Sequence, residues 1–213
     1  MLQTPNSPDF KRLSKWINRF DGFFTSKHAN WSGYSRQNQS FYVKSGHWER
    51  YGTGIFRYKL FPHTAGTRPD LIVATLWSAN REGLPQGVIS HDTALAYHKL
   101  STWSGHGLHM TVPNNFRRSA ICKFKVRLHF GVLTEDEIED IGPFKVTTPF
   151  RTLIDVLQSK HIEKNHVVDA FADAFRTKQV TFYEFKSAKL DEETKQLVAH
   201  ILNRIGHPKA NEI

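Results

Sequence analysis

From Ser35 to Lys44 the chain reads Ser-Arg-Gln-Asn-Gln-Ser-Phe-Tyr-Val-Lys. Its first members, Arg36, Gln37, Asn38, Gln39 and Ser40, are side-chain types that hydrogen-bond base edges in the major groove of duplex DNA. Arginine pairs with guanine through two bonds, and Gln or Asn does the same with adenine. A polar helix start is common on its own, so the run gains meaning from what surrounds it. Straight after it comes an aromatic and basic stretch, His47 to Leu60, in which Arg50, Arg57 and Lys59 would supply cations for phosphate contact.

Other residues invite enzymatic readings that their spacing does not support. Of twelve histidines, His106 and His109 lie three apart and His91 and His98 seven apart. No cysteine pair or helical His-Glu-x-x-His accompanies them, so no metal site is expected. The acidic run Glu135 to Asp140 resembles a nuclease cluster but suits an exposed helix start after Thr134, where acids complement the dipole. Asp155 and Arg151 stand four apart on one helix and are expected to pair. With no Gly-rich phosphate loop and no nucleophile elbow, the reading is of a protein that is not an enzyme and takes no cofactor.

The elements that position the polar run can be traced outward from it. Leu13, Trp16, Ile17 and Phe20 recur at i, i+3, i+4 and i+7, which predicts a first helix over about 9–20. Thr25 or Ser26 caps a second, short helix, Gly33 permits a tight turn, and Ser35 caps a third helix reaching Lys44 or Ser45. Two short helices joined by a Gly-containing turn form a helix-turn-helix candidate. The β-rich residues on either side of Gly52-Thr53-Gly54 then predict a hairpin, packing through Trp48, Ile55 and Tyr58.

Charge divides the chain along the same line. Residues 1–68 hold eleven Lys or Arg and three Asp or Glu, against eighteen and seventeen in 69–213, so nearly all of the net +9 lies in the first third. Such asymmetry suits a phosphate-seeking module joined to a near-neutral one. The Pro- and Gly-containing stretch Phe61 to Pro69 marks the boundary, giving domains at 1–62 and 69–213. The lone cysteine, Cys122, allows no internal disulfide, and neither a secretory leader nor a membrane-spanning run is seen. A cytoplasmic protein is expected.

The larger part reads as α+β with an antiparallel or mixed sheet. Helices are expected over Asp70–Asn80, from a capping Ser90, from Thr148-Pro149, and over about 166–178, 182–187 and 192–205. Strands are expected at Val88-Ile89, Leu108–Val112, Ile121–Phe130 and Phe144–Thr147. In the long strand Phe124, Val126, Leu128 and Phe130 alternate with Lys123, Lys125, Arg127 and His129, which predicts one buried and one wet, cationic face. That wet face suits nucleic acid, an acidic partner or plain solvent.

In this order the chain resembles the AbiEi family of antitoxins, which pair with nucleotidyltransferase toxins. The resemblance covers about residues 10–180. It rests on Ser35-Arg36-Gln37, Val43-Lys44-Ser45-Gly46, Glu49-Arg50 and Gly52-Thr53-Gly54-Ile55-Phe56-Arg57. It also rests on Val88 to Leu95 with His98 to Ser101, on His109 to Pro113, and on Val146 to Asp155. The resemblance implies an N-terminal winged helix-turn-helix that represses its own operon through promoter repeats, and a C-terminal domain that opposes the toxin without necessarily touching it. Double-stranded DNA and the toxin are the implied partners, with no membrane. Similar blocks occur in stand-alone regulators, some with a nuclease-like extension, which leaves a regulator without a toxin and a metal-dependent nuclease as alternatives. Gln39 falls where the family has an apolar residue facing the helix core, so Tyr42 and Val43 are expected to anchor the third helix. With the 39/42/43/46 stripe inward, Arg36, Gln37, Ser40 and Lys44 face the groove, with Ser35 at the helix start. In the second domain His91, Asp92 and Arg151 fall inside the family-like blocks.

Overall fold

The structure, a computed structural model, describes residues 7–62, 66–100, 107–159 and 163–213. The protein is mixed α+β, with two sheets. Two compact units divide it: one takes in the described residues up to Val88 with Val112–Val126 and Asp140–Lys145, the other Ile89–Thr111, Arg127–Glu139 and Val146–Ile213. The expected break at 62–69 falls within the first unit, and its residues 63–65 lie outside the described residues. No helix among the described residues is long and apolar enough to cross a membrane.

The first unit runs α1 (Phe10–Arg19), β1 (Phe23–Thr25), α2 (Ser26–Trp31), α3 (Arg36–Lys44), β2 (Trp48–Gly52), β3 (Ile55–Tyr58) and α4 (Pro69–Trp77). Its three strands are ordered β1-β3-β2 and antiparallel throughout. Asp9 caps α1 by accepting from the Arg12 N–H at 3.0 Å. Thr25 and His28 form a reciprocal capping box at the start of α2, satisfying two N–H groups that the helix cannot. Gly33 takes φ +83° in the α2–α3 turn, a conformation that glycine adopts without steric cost. Ser35 accepts from the Asn38 N–H at 3.2 Å and fixes where α3 begins.

The hairpin packs on both faces, which departs from the expected single face of Trp48, Ile55 and Tyr58. Trp48 and Tyr58 pair across the ladder and share a side with Phe24 and Phe56. That side meets Leu13, Ile17, Ala29 and Tyr34 in the core. Trp48 there sits edge-on to Phe24 at 4.7 Å and stacks on Tyr42 at 5.0 Å, contacts worth about 0.5–1.5 kcal/mol each beyond burial. Ile55 and Arg57 point to the opposite side, and α4 packs against β1 and β3. Strand β1 was not expected; its three residues are too few to show a period.

The second unit carries α5 (His91–Tyr97), α6 (Pro149–Gln158), α7 (Lys164–Arg176), α8 (Phe182–Ser187) and α9 (Glu192–Arg204). Leu95, Leu153, Ile154, Phe171, Phe185 and Leu202 lie in their shared core. The larger sheet is ordered β6-β5-β4-β8-β7, from β4 (Val88–Ile89), β5 (Leu108–Val112), β6 (Val126–Phe130), β7 (Ile138–Asp140) and β8 (Lys145–Thr147). Ile89 pairs with Val146 in parallel.

Three expectations change here. The strand over 121–130 shortens to β6, and its alternation fails at the end: Phe130 is 57% exposed whereas His129 turns toward His91. The acidic run gives one 3-10 turn, capped reciprocally by Thr134 and Glu137, and then becomes strand β7. Ser90 stands at the N-cap of α5 without donating or accepting a capping bond, because its hydroxyl is engaged by Thr111 and His91 at 2.8 and 2.9 Å.

Candidate functional site

Helix α3 is oriented by a polar residue in its inward-facing stripe. Gln39 is 4% exposed. Its amide nitrogen donates to Asn30 Oδ1 at 2.7 Å and to the Tyr34 carbonyl at 2.9 Å, and its Oε1 accepts from the Ser26 hydroxyl at 2.6 Å. The amide therefore ties α3 to α2 and to the turn between them. Tyr42 and Val43 pack against the core beside it, Tyr42 on Trp48 at 5.0 Å, so they anchor the helix as expected and Gln39 shares that task. A buried polar group is costly unless its bonds are made, and these are made.

With Gln39 inward, Ser35, Arg36, Gln37, Ser40 and Lys44 are all exposed. Arg36, Gln37, Ser40 and Lys44 line one shallow depression together with Phe41. Phe41 is 63% exposed. Its residue type hides it, because an aromatic is read as core although position 41 lies off the inward 39/42/43/46 stripe. One face thus combines two cations, amide and hydroxyl groups that can donate or accept, and an aromatic ring.

On the hairpin the expected cations separate. Arg50 and Lys59 are exposed, with the Arg50 guanidinium 5.1 Å from the Phe56 ring centre. Arg57 is 2% exposed and is corrected as a phosphate contact. Its guanidinium donates to the Phe61 carbonyl at 2.9 Å and lies over Phe23 at 5.9 Å. As a residue of the central strand, on the side where α4 packs, it has no open face to present.

The second unit brings His91 and Arg151 to one place and sends Asp92 to its edge. The Arg151 Nε donates to Asp155 at 2.8 Å, and its NH1 group donates to Glu137 at 2.9 Å. His91 Nδ1 is 3.8 Å from Asp155 Oδ2. His91 stacks on His129 with ring centres 3.4 Å apart. His129 Nε2 is in turn 3.1 Å from His109 Nδ1, and His109 Nε2 is 3.4 Å from Asp92. Sequence spacing does not reveal His109 and His129 as members of this cluster, since they come from separate strands, β5 and β6. His91 takes φ +51°, a strained value for a residue with a side chain.

A cavity of about 320 Å³ opens onto this cluster, lined among others by His91, Thr111, His129, Arg151, Asp155 and Gln158. Burial pushes the Asp155 carboxyl up to about 6 against the pull of Arg151. Burial would raise Glu137 as well, but the Thr134 N–H and the Arg151 guanidinium hold it below the usual range. Among the described residues no group of three or more His, Cys, Asp or Glu side chains is arranged to hold a metal ion; His106 lies outside them.

Much of the 146–155 block has a structural task. Val146 pairs with Ile89, Thr147 bonds Thr152 at 2.8 Å, and Thr148 caps α6. Pro149 occupies the first turn of α6, where its missing N–H costs least. No model of a known protein family matches the chain, and no curated protein matches its sequence.

Proposed function

We propose that the first unit is a winged helix-turn-helix module that reads duplex DNA, and that the protein is a repressor of its own operon and an antitoxin of the AbiEi type. The carrying observation is α3. It starts at a Ser35 cap, is held inward by Gln39, and leaves Arg36, Gln37, Ser40 and Lys44 exposed on one face. A helix presenting its N-terminal polar residues, preceded by a short helix and followed by a hairpin, matches how such modules enter the major groove. Arg36 and Gln37 discriminate bases, about 1–3 kcal/mol for each good bidentate pair. Arg50, Lys59 and Lys44 hold the backbone and carry salt dependence.

The antitoxin half rests on the sequence resemblance. The buried cluster around His91, Asp92 and Arg151 is where that resemblance and the second unit's cavity coincide.

Two measurements test the reading. A duplex taken from immediately upstream of the gene should bind more tightly than a random duplex. Arg36→Ala should erase that preference, whereas Lys59→Ala should weaken both duplexes by one factor. Equal losses on both duplexes for both variants would defeat the division of labour. Co-expression with a nucleotidyltransferase encoded beside the gene should restore growth; DNA binding without rescue would leave a stand-alone regulator.

A further inference from the structure

The first unit contains a segment from much later in the chain, and that segment is strongly cationic. Between Asn114 and Lys125 stand Arg117, Arg118, Lys123 and Lys125, with no Asp or Glu. All four cations are exposed. Three contacts fix the segment against the unit. Phe116 is buried and meets the Trp77 ring at 5.8 Å. The Trp77 indole N–H donates to the Ala120 carbonyl at 2.6 Å, and Arg118 donates to the Ala79 carbonyl at 3.2 Å. The Lys123 ammonium then lies 4.3 Å from the ring centre of Tyr51 on β2. Arg118 also lines a depression that includes Thr53 and Gly54 of the hairpin turn.

The hairpin itself lacks one of its expected cations, because Arg57 is consumed in the interior. The segment brings positive charge to the hairpin at Tyr51 and beside its turn. Exposed cations in a segment with no acid of its own, set on a folded support, are the footprint of backbone binding. We propose that residues 114–125 form a second phosphate-binding element that flanks the hairpin and grips the DNA backbone. The proposal rests on the reading of the first unit as a DNA binder. It adds affinity and no base preference, since lysine at phosphate carries no sequence information.

The test uses the full chain, the upstream duplex and a random duplex of equal length, titrated by fluorescence anisotropy over a series of salt concentrations. Lys123→Gln with Lys125→Gln should weaken both duplexes by the same factor. The slope of log K against log salt should fall by about 0.9 for each phosphate that is no longer neutralised, so by about two for the pair. Lys123→Arg with Lys125→Arg should keep the slope. Lys125→Gln alone serves where Lys123→Gln disturbs Tyr51, and should lower the slope by about one. An unchanged slope in these variants, with wild-type binding intact, overturns the inference and leaves the reading of α3 standing. A loss confined to the upstream duplex also overturns it, because it would mean base reading. Wild-type protein that binds neither duplex overturns the reading of the unit, and this inference with it.

Discussion

Arg57 and Gln39 exchange the positions that their chemistry suggests. A guanidinium beside a hairpin turn is expected in water, yet Arg57 is enclosed and bonds the Phe61 carbonyl. A glutamine is by type a surface residue, yet Gln39, in the stripe read as inward, joins that helix to Ser26, Asn30 and Tyr34. In both cases the partners are carbonyls, an amide and a hydroxyl from other elements, which no periodicity within the helix or strand reveals. Arg57→Ala should therefore act on stability. It strands the Phe61 carbonyl and strips the guanidinium from Phe23, and a charged hydrogen bond of this kind is worth about 1.5–3 kcal/mol. Urea unfolding should show a loss of about 2 kcal/mol, while the salt slope of DNA binding in the folded variant stays at the wild-type value. A flattened slope would return Arg57 to the DNA.

At the scale of the element, α3 was largely legible and its outer face only partly so. The Ser35 cap, the Gly33 turn and the exposure of Arg36, Gln37, Ser40 and Lys44 follow from local rules that sequence exposes directly. Phe41 went unnamed because an aromatic is taken for a core residue by type, although the 39/42/43/46 stripe already turns its position outward. Its ring lies among the exposed polar residues of α3, and an apolar group on a helix that reads the major groove suits the methyl that distinguishes thymine there. Burying one such methyl is worth about 0.8 kcal/mol, close to fourfold in affinity. Replacing thymines of the upstream duplex by uracils, one position at a time, should weaken wild-type binding by about that factor at one position. Phe41→Ala should be insensitive to the same replacement. If both proteins respond alike at every position, Phe41 does not read a methyl. Strand β6 shows the opposite failing: its alternation was clear, but the stack of His129 on His91 overrides it at the end.

Across the whole molecule, the two units carry buried titratable groups whose shifts act in opposite directions with pH. In the first, His28 stacks on Trp16 at 4.1 Å. Burial, with Lys27 nearby, lowers its pKa to about 3. Below about 6.5 the unfolded chain takes up a proton that the folded unit refuses, so the stability this group contributes is present above that value and is lost on acidification. In the second, burial raises Asp155 to about 6. Between about 4 and 6 the folded unit holds that proton and the unfolded chain does not, so the contribution is full below about 4 and lost as pH rises through 6. Each group changes stability by at most about 1.4 kcal/mol for every pH unit inside its window. Amide hydrogen exchange, which resolves the units separately, should show the wild-type first unit opening more readily at pH about 5 than at about 7. His28→Gln keeps the acceptor of the capping box and loses the proton site, so it should flatten that trend. Asp155→Asn should fall further behind wild type as the pH drops through 6, because it lacks the proton-linked gain. Parallel pH profiles for His28→Gln and wild type in the first unit would remove His28 as the cause of its acid sensitivity.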